Sequence, residues 1–190
     1  DHAYPLASTG PAISYKKTNW WKRFWYYPLE VDGVGIANPT KTNFWTGVWH
    51  CPTTFPTGAW SYGYNALGYW PVRTPYTNSL GMVNGFGLGG HYRTSPNGDV
   101  PLAPITESEV VDPSDMMAIG DVVDNALDFT YLDQLDVENQ AYQWHAYSRH
   151  QSNPNVVFCD GHVESPTLQF LFEDTNDEAF SRWNRDHLPH

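Results

Sequence analysis

Four side chains in the second half of the sequence, Asp121, His150, Asp160 and His162, have the chemistry to hold a cation. Imidazole nitrogens and carboxylate oxygens together suit zinc or another divalent ion, whereas carboxylates combined with backbone carbonyls suit calcium. Three of the four also have a structural explanation, which the local sequence favours. Asp160 is accounted for by a turn with Gly161, and His162 by pairing across a hairpin. A hydrogen bond from His150 would hold the loop before the strand. The sequence requires no cofactor, and a divalent cation, calcium or zinc, is the one it would accommodate.

Carbohydrate chemistry is the next reading. Trp20, Trp21, Trp25, Tyr26 and Tyr27, or Trp45 and Trp49, offer flat aromatic faces that stack on sugar rings. Tyr62 and Tyr64 would share one face of a strand. The alternative, favoured for most of these rings, is that they fill the core. Glycoside hydrolysis needs two carboxyls flanking the scissile bond. Glu107, Glu109, Asp121 and Asp124 are available, but among 21 acidic residues availability decides nothing. Neither Gly-x-Ser-x-Gly nor His-Glu-x-x-His occurs, so the familiar serine-hydrolase and zincin signatures are missing.

The two cysteines, Cys51 and Cys159, leave two alternatives open. A disulfide closing so long a loop would contribute about 4 to 5 kcal/mol in the chain-entropy model. Two buried thiols would instead behave as small hydrophobes. As nucleophiles paired with a histidine they are poor candidates, because Cys51 precedes a proline and Cys159 lies in an apolar strand. Both read as structural.

The composition bounds the rest. At 190 residues, 41% hydrophobic and 16% charged, the chain has material for one packed domain spanning 1–190. A net charge of -11 repels phosphate backbones, which argues against nucleic-acid binding. No apolar stretch approaches the length that spans a bilayer, so membrane insertion by this segment is not expected. The first residues do not read as a signal peptide, and the missing initiator Met suggests a mature or trimmed chain.

The elements that must position these residues are short, because 15 Pro and 15 Gly are scattered along the chain. Residues 20–29 fit a helical turn or two, and residues 44–52 a strand ended by Cys-Pro. The glycine-rich residues 81–90 form a flexible loop or a strand with close backbone neighbours, without the Lys-Ser/Thr of a phosphate cradle. Residues 108–115 make a turn, and the apolar run at 116–121 has the length of a buried strand. Residues 124–138 read as an acidic excursion. Asn155 to Glu164 forms a hairpin in which Asp160-Gly161 suits a two-residue type I′ turn. A short helix follows Ser165-Pro166, and a second starts at Thr175 with Glu178 completing a capping box.

His150, nine intervening residues and then Asp160-Gly161 form a motif. With it come His50-Cys51-Pro52, Ser61-Tyr62-Gly63-Tyr64-Asn65, Gly87-Leu88-Gly89, the stretch from Pro113 to Asp121, and Arg182-Trp183-Asn184-Arg185-Asp186-His187. On these segments the chain resembles the prepilin-type processing-associated proteins of bacteria, and the resemblance covers most of it from about Trp20 onward. It implies an α+β fold: a type IV pilin or type II secretion pseudopilin-like head with a mainly antiparallel sheet, long loops and short C-terminal helices. The apolar N-terminal helix of such proteins is absent from this sequence, and family members often carry a further Cys near its end. Pseudopilins commonly bind calcium in a C-terminal loop, so the resemblance keeps a cation in view. It implies an exported protein of the cell envelope, periplasm or surface, with other pilin-like subunits as partners. His150, Asp160 and Gly161 are then motif residues with a structural role. The alternative function is a carbohydrate-active protein that binds or hydrolyses polysaccharide through Trp20, Trp21, Trp25, Tyr26, Tyr62 and Tyr64 and an acidic pair.

Overall fold

The computed structural model describes residues 2–4, 50–53, 61–66, 68, 86–93, 100–121, 149–172, 174 and 176–189. The expected helix at 20–29, the acidic excursion at 124–138 and most of the expected strand at 44–52 lie outside the described residues.

A four-stranded antiparallel sheet organises the described part, in the order β1 (Tyr62–Tyr64), β4 (Met117–Asp121), β5 (Val156–Phe158), β6 (Val163–Glu164). The apolar run at β4 is buried almost throughout, as a strand covered on both faces requires. It is flanked on one side by β1, with Tyr62 opposite Asp121 and Tyr64 opposite Ile119. On the other side lies β5, with Met117 opposite Phe158 and Gly120 opposite Val156. A bulge between Met117 and Ile119 breaks the β4–β5 register. In β5, Val156 and Phe158 point inward and Val157 is half-exposed, the alternation of a strand with one buried face. The edge strand β6 leaves Val163 exposed. A separate antiparallel pair joins β2 (His91–Arg93) to β3 (Val100–Ala103). With its few short helices, the fold is α+β.

The hairpin forms where the sequence places it, with a different turn. Gly161 alone of the turn residues has positive φ, at 93°, which excludes a type I′ turn at Asp160-Gly161. Gly161 N donates to Phe158 O at 3.0 Å and Phe158 N donates to His162 O at 2.9 Å. The loop is therefore the three residues Cys159, Asp160 and Gly161, closed by a left-handed glycine.

The C-terminal end locks the sheet to the glycine-rich segment. Helix α2 (Leu168–Phe172) follows the Ser-Pro pair as expected, after the single turn α1 (Arg149–Ser152). Helix α3 (Asp177–Ser181) is capped by Asn176, whose side chain accepts from Ala179 N, so it starts one residue later than the Thr175 box implies. Beyond α3, Arg182 O accepts from Met117 N and Arg185 N donates to Phe86 O. Buried Asn65 donates to Met117 O and Trp183 O and accepts from Gly68 N, tying three segments together through one amide. The glycines at 86–89 are a close backbone approach: a Cβ on Gly87 would lie 2.5 Å from Gly68 N. Trp183, Tyr64, Phe158, Leu88, Ile105, Met116, Met117 and Leu171 fill the core around them.

Candidate metal centre

Asp121 ends β4 with its side chain fully buried. The strand continues past it as a backbone bond from Asp121 N to Asn155 O at 3.1 Å, and Asn155 N donates back to Asp121 Oδ2 at 2.7 Å. A carboxylate in this position is fixed by the sheet itself. His150 of α1 lies against it.

Turn α1 carries His150 at φ 51°, ψ 43° and Gln151 at φ 67°, ψ 35°. Left-handed backbone costs an L-residue about 1–2 kcal/mol, and non-glycine residues held there concentrate at sites where the geometry has a use. Here the outcome is that His150 Nε2 lies 3.5 Å from Asp121 Oδ2 and 3.4 Å from Cys51 Sγ. The His150 side chain keeps 26% of its surface exposed, so the cluster touches solvent along one edge.

Cys51 completes the cluster from a segment 99 positions away in sequence. It is fully buried, its N–H donates to the buried Ser61 Oγ at 2.9 Å, and its Sγ lies 2.9 Å from Thr53 Oγ1. One atom each from Cys51, Asp121 and His150 lie within 4.8 Å of one another, a possible metal-binding set. The same set invites comparison with a nucleophilic Cys-His-Asp relay. In such a relay the imidazole contacts nucleophile and carboxylate through opposite ring nitrogens. In this cluster both partners face Nε2, so the three atoms converge on one point.

Of the four cation ligands expected from sequence, Asp121 and His150 come together, with Cys51 as third member. Asp160 and His162 instead pair with each other on the hairpin: His162 Nδ1 and N lie 2.6 and 3.0 Å from Asp160 Oδ1. The backbone N–H and then the ring of His162 hold the Asp160 carboxyl below its ordinary range, and Asp160 in turn raises the imidazole of His162. Glu164 adds to that rise from 3.4 Å, and the His162 ring stacks on Phe158 with centroids 4.5 Å apart. The pair staples the hairpin turn. In the sequence Cys51 reads as half of a disulfide with Cys159 or as a buried thiol, not as a metal ligand, and no spacing rule links residues so far apart.

The Cys51–Cys159 disulfide is not formed: both are free thiols. Cys51 is turned toward Thr53 and His150, while Cys159 lies in the hairpin loop with its side chain hydrogen-bonded to Tyr4. Burial pushes the Cys159 thiol up to about 11, against a smaller opposing effect of the Tyr4 bond.

The carbohydrate residues fare differently. Tyr64 is buried and donates its hydroxyl to Leu88 O at 3.0 Å, which leaves no ring face for a sugar. Tyr62 is half-buried on the edge strand, and Trp20, Trp21, Trp25, Tyr26, Tyr27, Trp45, Trp49 and Asp124 lie outside the described residues. Glu109 is engaged within the fold: it accepts from Thr106 N at 2.9 Å and meets His91 Nε2 at 2.7 Å, contacts that lower its carboxyl pKa, with the Thr106 N–H first. Glu107 is exposed on the same short 3-10 turn. No helix of the described residues is long and apolar enough to cross a membrane. In comparisons with known proteins, the chain matches no family model, no curated protein and no solved structure.

Proposed function

We propose that the chain is the structural and interaction head of a pilin- or pseudopilin-like filament subunit, exported to the cell envelope or surface. What supports this reading is the use made of the motif residues. Gly161 closes the β5–β6 hairpin, Asp160 staples it to His162, and His150 folds back on Asp121 at the end of β4. Each residue of the motif is engaged in holding strands together. A divalent cation, zinc or calcium, belongs to the same reading as a stabilising element that pins α1 to the sheet. Other pilin-like subunits would be its partners, through the apolar N-terminal helix that the family carries.

The test is where the protein resides in cells. Surface fibres sheared from the source cells and pelleted by ultracentrifugation should react with an antibody raised against this head. Recovery of all the antigen as a cytosolic monomer would refute the proposal.

A further inference from the structure

We infer that Cys51, Asp121 and His150 form a zinc site, with one thiolate, one carboxylate and one imidazole as ligands. The inference names the ion and the ligands of the cation in the proposed function, and it does not rest on the filament reading, since a zinc site of this kind would be present whatever the head does.

Distance is the first support. With zinc bonds of the usual length to sulfur, nitrogen and oxygen, the ligand atoms of a tetrahedral site stand about 3.3–3.6 Å from one another. His150 Nε2 is 3.4 Å from Cys51 Sγ and 3.5 Å from Asp121 Oδ2. The separation to oxygen is long for a hydrogen bond from a ring nitrogen, the one to sulfur is of ordinary length, and both match an ion seated beside the three atoms, which all lie within 4.8 Å of one another.

The surroundings of each ligand are the second support. Metal ligands are commonly oriented by partners of their own. Asp121 Oδ2 accepts from Asn155 N, Cys51 is anchored through its N–H to Ser61 Oγ, and Thr53 Oγ1 is placed to donate to the sulfur. His150 is delivered by two successive left-handed residues, a conformation that the chain adopts at a cost. The partly exposed His150 edge provides a path for the ion.

Charge and softness select the metal. A buried thiolate beside a buried carboxylate would concentrate negative charge, which a divalent ion neutralises. Calcium takes oxygen ligands, while a thiolate with imidazole favours zinc among the common divalent ions. On binding, the Cys51 S–H bond breaks, its electron pair forms the zinc–sulfur bond and the proton leaves to solvent. No oxidant or reductant is needed. Three protein ligands leave a fourth position for water or another ligand.

The experiment is zinc and cobalt binding by the purified chain after chelator treatment and desalting. One equivalent of zinc should bind, and cobalt should give a thiolate-to-cobalt charge-transfer band. Cys159→Ser should retain both, because Cys159 lies in the hairpin loop. Removing an orienting partner typically costs 10–100-fold in affinity, so Thr53→Ala should weaken zinc binding about tenfold and Cys51→Ser by more than about a hundredfold. Should Cys51→Ser fail to fold, the band in folded Cys159→Ser, where Cys51 is the only thiol, decides the matter. Absence of that band, stoichiometric calcium uptake with no zinc uptake, or full zinc affinity in folded Cys51→Ser would each overturn the inference.

Discussion

Asp121 and Asn155 are joined twice: Asn155 N donates to Asp121 Oδ2 at 2.7 Å, and Asp121 N donates to Asn155 O at 3.1 Å. The first bond is charge-assisted and made by a fully buried carboxylate. Removing that acceptor strands a backbone N–H, so Asp121→Ala should lower stability by about 2–3 kcal/mol. Asp121→Asn, which keeps an acceptor without the charge, should fall between wild type and Asp121→Ala in urea unfolding. Equal midpoints for all three would show that the side chain does not hold β4 to β5.

The hairpin staple has a pH signature. His162 is raised above 6.5 in the folded chain, so its contribution is complete below about 6.5 and is lost as pH rises through the folded value. Asp160 is lowered below 3.8, so its contribution is present above about 3.8 and is lost as pH falls. The pair therefore stabilises most between those limits. Asp160→Asn should cost more stability within that window than above it, in melts recorded across the pH range. A cost independent of pH would mean that the two charges do not interact.

The thiols differ from a disulfide in a direct way. Two free thiols per chain should titrate under denaturing, non-reducing conditions. In the folded protein Cys159 should alkylate about a hundredfold more slowly than an ordinary cysteine below pH 9, since its thiolate fraction falls tenfold per pKa unit. Absence of thiols in the denatured chain would restore the Cys51–Cys159 bridge.

Two glycines separate backbone strain from crowding. A Cβ at Gly161 meets nothing within 4 Å, so Gly161→Ala should cost only the left-handed penalty, about 1–2 kcal/mol. Gly161→Asn should recover part of it, because Asn tolerates that region better. Gly87→Ala puts a Cβ 2.5 Å from Gly68 N, backbone that cannot step aside as a side chain would. It should destabilise more than Gly161→Ala in thermal melts. The reverse order would place the tight approach elsewhere.

What was legible in the sequence was local. Met117–Asp121 reads as a strand because an apolar run is bounded by turn residues, and the hairpin is marked by Asp160-Gly161. The turn type differs from the sequence expectation because Asp-Gly fits a two-residue loop as well as the end of a three-residue one. Only the pairing of Phe158 with His162 decides between them. Likewise Asn176 and Thr175 are both competent caps, and the backbone of Ala179 reaches the former. Cys51 reads in the sequence as half of a disulfide or as a core thiol, because its partners come from the end of β4 and from a strained turn. Nothing in residues 50–53 announces them. Strand alternation alone makes Tyr64 a sugar-stacking candidate, because alternation does not say which face is buried.

The most direct measurement of the cluster is X-ray absorption at the zinc edge of the loaded chain. The expected shell has one sulfur at about 2.3 Å and nitrogen or oxygen neighbours at about 2.0–2.2 Å, lost together in Cys51→Ser. A shell of nitrogen and oxygen alone, or one with two sulfurs, would contradict a site built from Cys51, Asp121 and His150.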